Sequence, residues 1–300
     1  MARESLGLVL GFIAVVLFGG TLPFTRLAVE GLDPWFVTAA RAALAGILAG
    51  AVLLVTRRRR PDVAALKRLA LVSLCLVVVF PGVTALAMQR VGAAHGGVML
   101  GLLPLATALF GAWLAGERPG WRFWAAAVAG AAVVVAFALR EGTGRLQLGD
   151  LLLAAAVLSA GFGYALSGQL TLRLKGWEVI SWALVIALPL TFPLMILLAP
   201  RNPSVVPHAS WTGLAYVTLL SQYFGFFAWN AGLALGGIAL VSQVQLLQTF
   251  VTLLIAAALN GEQVDALTWM AAVVVVSLVL IGRKAARRPA PRSPPSQGVA

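Results

Sequence analysis

Ten stretches of roughly 20 apolar residues, set apart by short polar connections, govern what this chain can become. Their approximate limits are Gly7–Ala28, Trp35–Val55, Leu69–Met88, Ala93–Ala115, Phe123–Leu139, Leu151–Leu172, Trp177–Ala199, Trp211–Leu235, Ile238–Leu259 and Ala266–Gly282. Each is long enough to cross a hydrocarbon layer about 30 Å thick. Strands of a membrane barrel would alternate polar and apolar residues over about ten positions. These runs are longer and continuously apolar, so helices are expected. The chain is 61% hydrophobic and 11% charged, against about 25% charged in a soluble domain. No aqueous core absorbs that surplus. The expected fold class is all-α integral membrane, with ten transmembrane helices. The first run follows Met1–Ser5 directly and shows no small-residue cleavage site, so it reads as a membrane helix and not as a removable signal.

The formal charge is +12, which raises nucleic acid as a partner. That partner needs cations clustered on a soluble surface. Here they lie between apolar runs, where they set orientation. With the N-terminus in the cytoplasm, 16 Lys and Arg residues fall inside, including the Arg57–Arg60 block, and 5 fall outside. Both termini are therefore expected to be cytoplasmic, in a multi-pass inner-membrane protein. The tail 283–300 is rich in Pro, Arg and Ser, and reads as disordered and basic, close to anionic headgroups. The lone cysteine, Cys75, lies within an apolar run and reads as a packing residue.

A shift of 145 residues lays the second half over the first. Gly116-Glu117 then meets Gly261-Glu262, Gly92 meets Gly237, and Trp124 meets Trp269. Residues 1–145 and 146–282 read as two five-helix repeats. Five is odd, so the second repeat must enter the membrane from the opposite face. Inverted repeats around a central cavity are a recurrent build of transporters that work by alternating access.

The order of several short motifs carries a resemblance. Phe18-Gly19-Gly20-Thr21-Leu22-Pro23-Phe24-Thr25-Arg26 is followed by Asp33-Pro34 and Arg41. Later come Leu102-Leu103-Pro104-Leu105, Gly116-Glu117-Arg118 and Leu148-Gly149-Asp150-Leu151. Over residues 7 to 282 the chain resembles the EamA-type drug/metabolite transporter superfamily. Within it, the chain looks most like the aromatic amino-acid exporters of the YddG type. The resemblance implies ten helices in two repeats and the export of a small metabolite. The chain departs from the family pattern at Phe18, where Trp is frequent, and at Thr249, which stands opposite Pro104.

Ionisable groups inside a membrane are costly and mark function. All ten carboxylates fall at helix ends or in connections, which argues against ion coupling through a buried acid. Arg41 is the one cation within a helix. It is open to two readings: a partner for a substrate carboxylate in the outward mouth, or a structural side chain reaching to the outer interface. His95 is read as a titrating or substrate-contacting group, or as a satisfied structural histidine. On the ninth run, Gln245 and Gln248 lie about 60° apart on one helical face, so both can project into a cavity or bind a neighbouring helix. Tyr164, Tyr223 and Asn230 lie well inside their helices and are substrate-binding candidates. Trp35, Trp121, Trp177, Trp211 and Trp269 sit at helix ends, as in an interfacial belt. Pro81-Gly82 and the pair Pro189 and Pro193 are candidate hinges.

No metal or cofactor is implied, because the two histidines, His95 and His208, are far apart and no His-Glu-x-x-His run occurs. The expected partners are a small-molecule substrate and the lipid bilayer. The sequence sets no oligomeric state, and a monomer is compatible with it. The expected function is export of amino acids or related small metabolites. A broad-specificity drug exporter is the alternative, and a membrane-embedded enzyme is the alternative of another class.

Overall fold

The computed structural model describes residues 2–114, 120–141, 144–171, 173–236 and 244–286. Among these, every regular element is helical. Seven helices are long and apolar enough to cross a membrane: α1 (Ser5–Val29), α2 (Pro34–Val55), α3 (Val63–Met88), α4 (Ala93–Leu114), α5 (Trp121–Glu141), α6 (Leu148–Leu170) and α7 (Gly176–Leu197). Next comes α8, made of His208–Ala215, a π-helical stretch Tyr216–Phe224 and Gly225–Gly236. Two further apolar helices follow, α9 (Gln248–Asn260) and α10 (Ala266–Ala286).

Side chains and proline set many of the starts. Asp33 accepts from the backbone N–H of Trp35 and Phe36, and Pro34 occupies the first helical position of α2. Asp62 accepts from Ala65 N–H at the start of α3, which begins six residues before the apolar run and carries the charged pair Lys67 and Arg68 in its second turn. Asp150 folds back onto the N–H of Gln147 to open α6. Gly261, at φ 64°, ends α9 in the left-handed region that glycine tolerates.

Helix α1 packs most extensively on α8, α2 on α7, and α5 on α10. Helix α6 lies against α3 and α4, α9 lies against α4 and α1, α2 touches α8, and α7 touches α3. Small residues bring backbones close. A Cβ at Gly213 would stand 2.6 Å from the Phe24 carbonyl oxygen, and one at Gly232 would stand 2.9 Å from the backbone of Gly7 and Gly11. Large apolar side chains such as Leu54, Trp121 and Leu197 face outward, as a lipid-facing surface requires. The interior forms two apolar clusters, one around Leu22, Val98 and Leu253, the other around Leu69, Val77 and Leu184.

Besides short breaks at Gly20 and at Gly101-Leu102, the α-helical winding widens in two places. Ser73–Val79 in α3 and Tyr216–Phe224 in α8 are both wound as π-helix. Pro81 follows the first and has no N–H for an ordinary i−4 bond, so the wider turn accommodates it. Helix α7, by contrast, runs unbroken through Pro189 and Pro193, both on its exposed face. The backbone irregularity therefore gathers around the Pro81-Gly82 candidate and not around the α7 pair.

Candidate functional site: a polar cavity at mid-depth

A narrow cavity of about 40 Å³ lies among the helices. Its walls come from both halves of the chain. Helix α1 supplies Phe18, Thr21 and Leu22, α2 supplies Arg41, α3 supplies Leu76 and Phe80, and α4 supplies Gly97 to Pro104 in part. Tyr164 of α6, Ser221, Gln222 and Phe226 of α8, and Val276 of α10 complete it, with Gln245, Gln248, Thr249 and Thr252 around the start of α9. Most of these positions lie well inside their helices, those at the start of α9 excepted. Leu22, Leu100 and Leu246 belong to one apolar cluster and Leu76 and Leu103 to the other, so the cavity lies where the two meet.

The π-helical turn of α8 builds much of the polar wall. Three successive side chains each bond a different helix. The Ser221 hydroxyl lies 2.7 Å from that of Thr21 on α1. Gln222 Oε1 accepts from Arg41 Nη2 of α2 at 2.7 Å. The Tyr223 hydroxyl lies 3.2 Å from Ser181 Oγ of α7. A π-turn widens the helix and splays neighbouring side chains, a distortion frequent at functional sites. In α3 the matching distortion leaves the Cys75 carbonyl to accept from Ser159 of α6 at 3.0 Å.

Of the residues singled out from sequence, Arg41, Tyr164, Gln245 and Gln248 meet in this cavity. Arg41 does not reach the outer interface. It is 2% exposed and tied to Gln222, because a deep amide offers its guanidinium a nearer acceptor than the membrane edge. Gln245 opens a short 3₁₀ turn, Gln245–Leu247, and Gln248 begins α9, so the two share the cavity without sharing one continuous α-helical face. Tyr223 is turned aside by its bond to Ser181 and packs against Phe227, outside the lining. The side chain of Asn230 lies outside the described residues. Gln222 and Thr21 are functional candidates that sequence reasoning passed over. The polar triplet Ser221-Gln222-Tyr223 inside an apolar run was the available signal.

His95 lies elsewhere, at one end of the bundle. Its Nε2 is 2.6 Å from Asp150 Oδ1, and its ring packs on Phe137. At the same end the Glu262 carboxylate accepts from the N–H of Ala93 and Ala94 at 2.7 and 2.8 Å, which caps α4. Arg26 stands 3.5 Å from that carboxylate and donates to the Val91 carbonyl. Arg140 of α5 pairs with Asp265 just ahead of α10. At the opposite end Arg58 pairs with Glu178 at 3.1 Å and lies over the Trp177 ring. Among the described residues no group of three or more His, Cys, Asp or Glu could hold a metal ion.

Apolar helices around a buried polar chamber are the build of a membrane protein that handles a small solute. The chain belongs to the EamA-like transporter family, whose model matches residues 5–139 and again 147–282. It is 46% identical over 288 residues to the uncharacterized transporter YdeK of Bacillus subtilis strain 168, covering 96% of this chain and 99% of that one. It is 25% identical over 273 residues to the uncharacterized inner membrane transporter YedA of Escherichia coli K12, covering 90% and 88%. A crystal structure of another protein superposes with a TM-score of 0.64 at 19% identity, over 94% of this chain and 98% of that one, a likeness of fold alone.

Proposed function

We propose that this transporter exports amino acids or related small metabolites across the inner membrane, by alternating access to the mid-depth cavity. The carrying observation is that a polar chamber deep among apolar helices is walled by both halves of the chain. All ten helical segments cross the membrane, with both termini in the cytoplasm and the tail 283–300 lying against the inner leaflet. Residues 1–145 and 146–282 are inverted repeats. The helix contacts support this reading, since moving every helix five places along exchanges α1·α8 with α6·α3, α1·α9 with α6·α4, and α2·α8 with α7·α3. The pairs α2·α7, α4·α9 and α5·α10 map onto themselves. The two π-helical stretches also fall at positions related by the repeat. Pro81-Gly82, beside one of them, is the hinge we favour.

The ion pairs at the two ends, Arg26–Glu262 and Arg58–Glu178, stand where gates on either side would form. Aromatic walls at Phe18, Phe80 and Phe226 suit cargo with an apolar side chain. The test is flux in liposomes holding the purified protein, with labelled aliphatic and aromatic amino acids. Protein-dependent movement of one or more is expected. Failure of all of them, together with movement of a lipophilic cation, would replace this reading with a broad-specificity drug exporter.

A further inference from the structure

The cavity wall carries an imbalance of hydrogen-bonding groups. Arg41 is 2% exposed and Gln222 is 3% exposed. Their mutual bond consumes the one strong acceptor of the pair, Gln222 Oε1. Arg41 Nε, Arg41 Nη1 and Gln222 Nε2 have no hydrogen-bond partner among the described residues. All three are donors. Buried donors in folded proteins are normally matched.

The charge is also unbalanced. Among the described residues no ion pair includes Arg41. Among the described residues no Asp or Glu lines the cavity, and the neighbouring stretch 237–243 contains neither. A cation held away from water without a counter-charge is costly and persists where function needs it.

Resting on the reading of this cavity as the cargo site, we propose that Arg41 and Gln222 form a carboxylate receptor, and that the cargo bears one carboxylate group. A carboxylate is acceptor-only and offers lone pairs enough for donors on two guanidinium nitrogens and one amide. One fixed cation balances one negative charge. A phosphate dianion would leave a surplus charge in the interior. The other walls are aromatic, amide and hydroxyl, so the rest of the cargo is uncharged or weakly polar. Among the described residues no acidic side chain faces it, and recognition does not require an ammonium group. A plain monocarboxylic acid therefore binds at least as well as the amino acid with the same side chain.

The experiment measures ligand-dependent shifts in the melting temperature of purified protein in detergent, beside flux in liposomes. The probes are phenylalanine, 3-phenylpropionate, phenylalaninamide and phenyl phosphate. The first two stabilise the protein and the amide does not. Arg41→Met weakens carboxylate binding roughly 10- to 100-fold, the worth of a charge-assisted hydrogen bond. Should Arg41→Met not fold, Gln222→Glu decides. It places a carboxylate on Arg41 within the chain, so it raises the melting temperature without ligand and abolishes the response to carboxylates. Equal stabilisation by the amide, tighter binding of phenyl phosphate, no shift with either carboxylate, or a full response in Gln222→Glu would each overturn the proposal. Carboxylate-dependent stabilisation without flux would sink the transport reading and leave this one standing. Flux of the amide equal to that of phenylalanine would do the reverse.

Discussion

A guanidinium two turns into an apolar helix has two ways to satisfy itself. It can extend to the membrane edge, or it can find an acceptor at depth. The sequence around Arg41 shows the cost of its position but not which exit it takes, because the acceptor, Gln222, is 181 residues away. Gln245 and Gln248 line the cavity, one of the two readings the sequence left open, since amides in an apolar run can equally bind a neighbouring helix. Tyr223 was not legible in the same way: depth along the helix is readable, but the π-turn that aims it at Ser181 is not. Asp265 shows a residue whose ionisation matters at the surface. The bond from Arg140, with those from the Thr268 hydroxyl and N–H, holds its carboxyl well below the usual carboxylate range. A group with a depressed folded pKa adds stability above its unfolded pKa, and loses it as pH falls through the folded one. Asp265→Asn should therefore melt below wild type near neutrality, with the difference shrinking from about pH 4 downward. A constant difference across that range, in melts followed by circular dichroism, would rule this out.

At the scale of elements, the apolar runs located the helices well, while their interruptions were hidden. Gly20 divides the first run and Gly101-Leu102 the fourth, yet hydropathy passes through both unchanged. The helix contacts depend on glycines whose importance a sequence does not rank. Gly213 faces the Phe24 carbonyl and the Ala28 N–H, both backbone atoms that cannot swing aside. Gly168, also helical, has nothing within 4 Å of where a Cβ would go. Gly213→Ala should thus force α8 from α1 and cost about 1–3 kcal/mol, as overpacking does. Gly168→Ala should gain about 0.5–1 kcal/mol from helix propensity alone. Thermal melts of the two variants against wild type check the contrast, and similar effects from both would discount the close approach.

For the whole molecule, the sequence carries one strong asymmetry, the placement of Lys and Arg. It predicts a cytoplasmic Arg57–Arg60 connection and an exterior loop around Asn202. In a Cys75→Ser background, Asn202→Cys should react with a membrane-impermeant thiol reagent on intact cells. Arg60→Cys should react only after permeabilisation. The opposite pattern would invert the molecule. The duplicated Gly-Glu pair was legible too, and its second copy has a clear physical task. Gly261 turns the chain, and Glu262 then reaches across to the start of α4 and to Arg26. The equivalent task for Gly116-Glu117 falls outside the described residues.

On the alternating-access reading, the Glu262 carboxylate is one of the contacts that hold this end of the bundle closed, beside the Arg140–Asp265 and His95–Asp150 pairs. Were that end to part, the start of α4 would lose its acceptor, and two bare amide hydrogens and the Arg26 guanidinium would stand at the threshold with the freed Glu262 carboxylate. A solute crossing there would meet both signs of charge, unlike the cation-only wall that the described residues give the cavity.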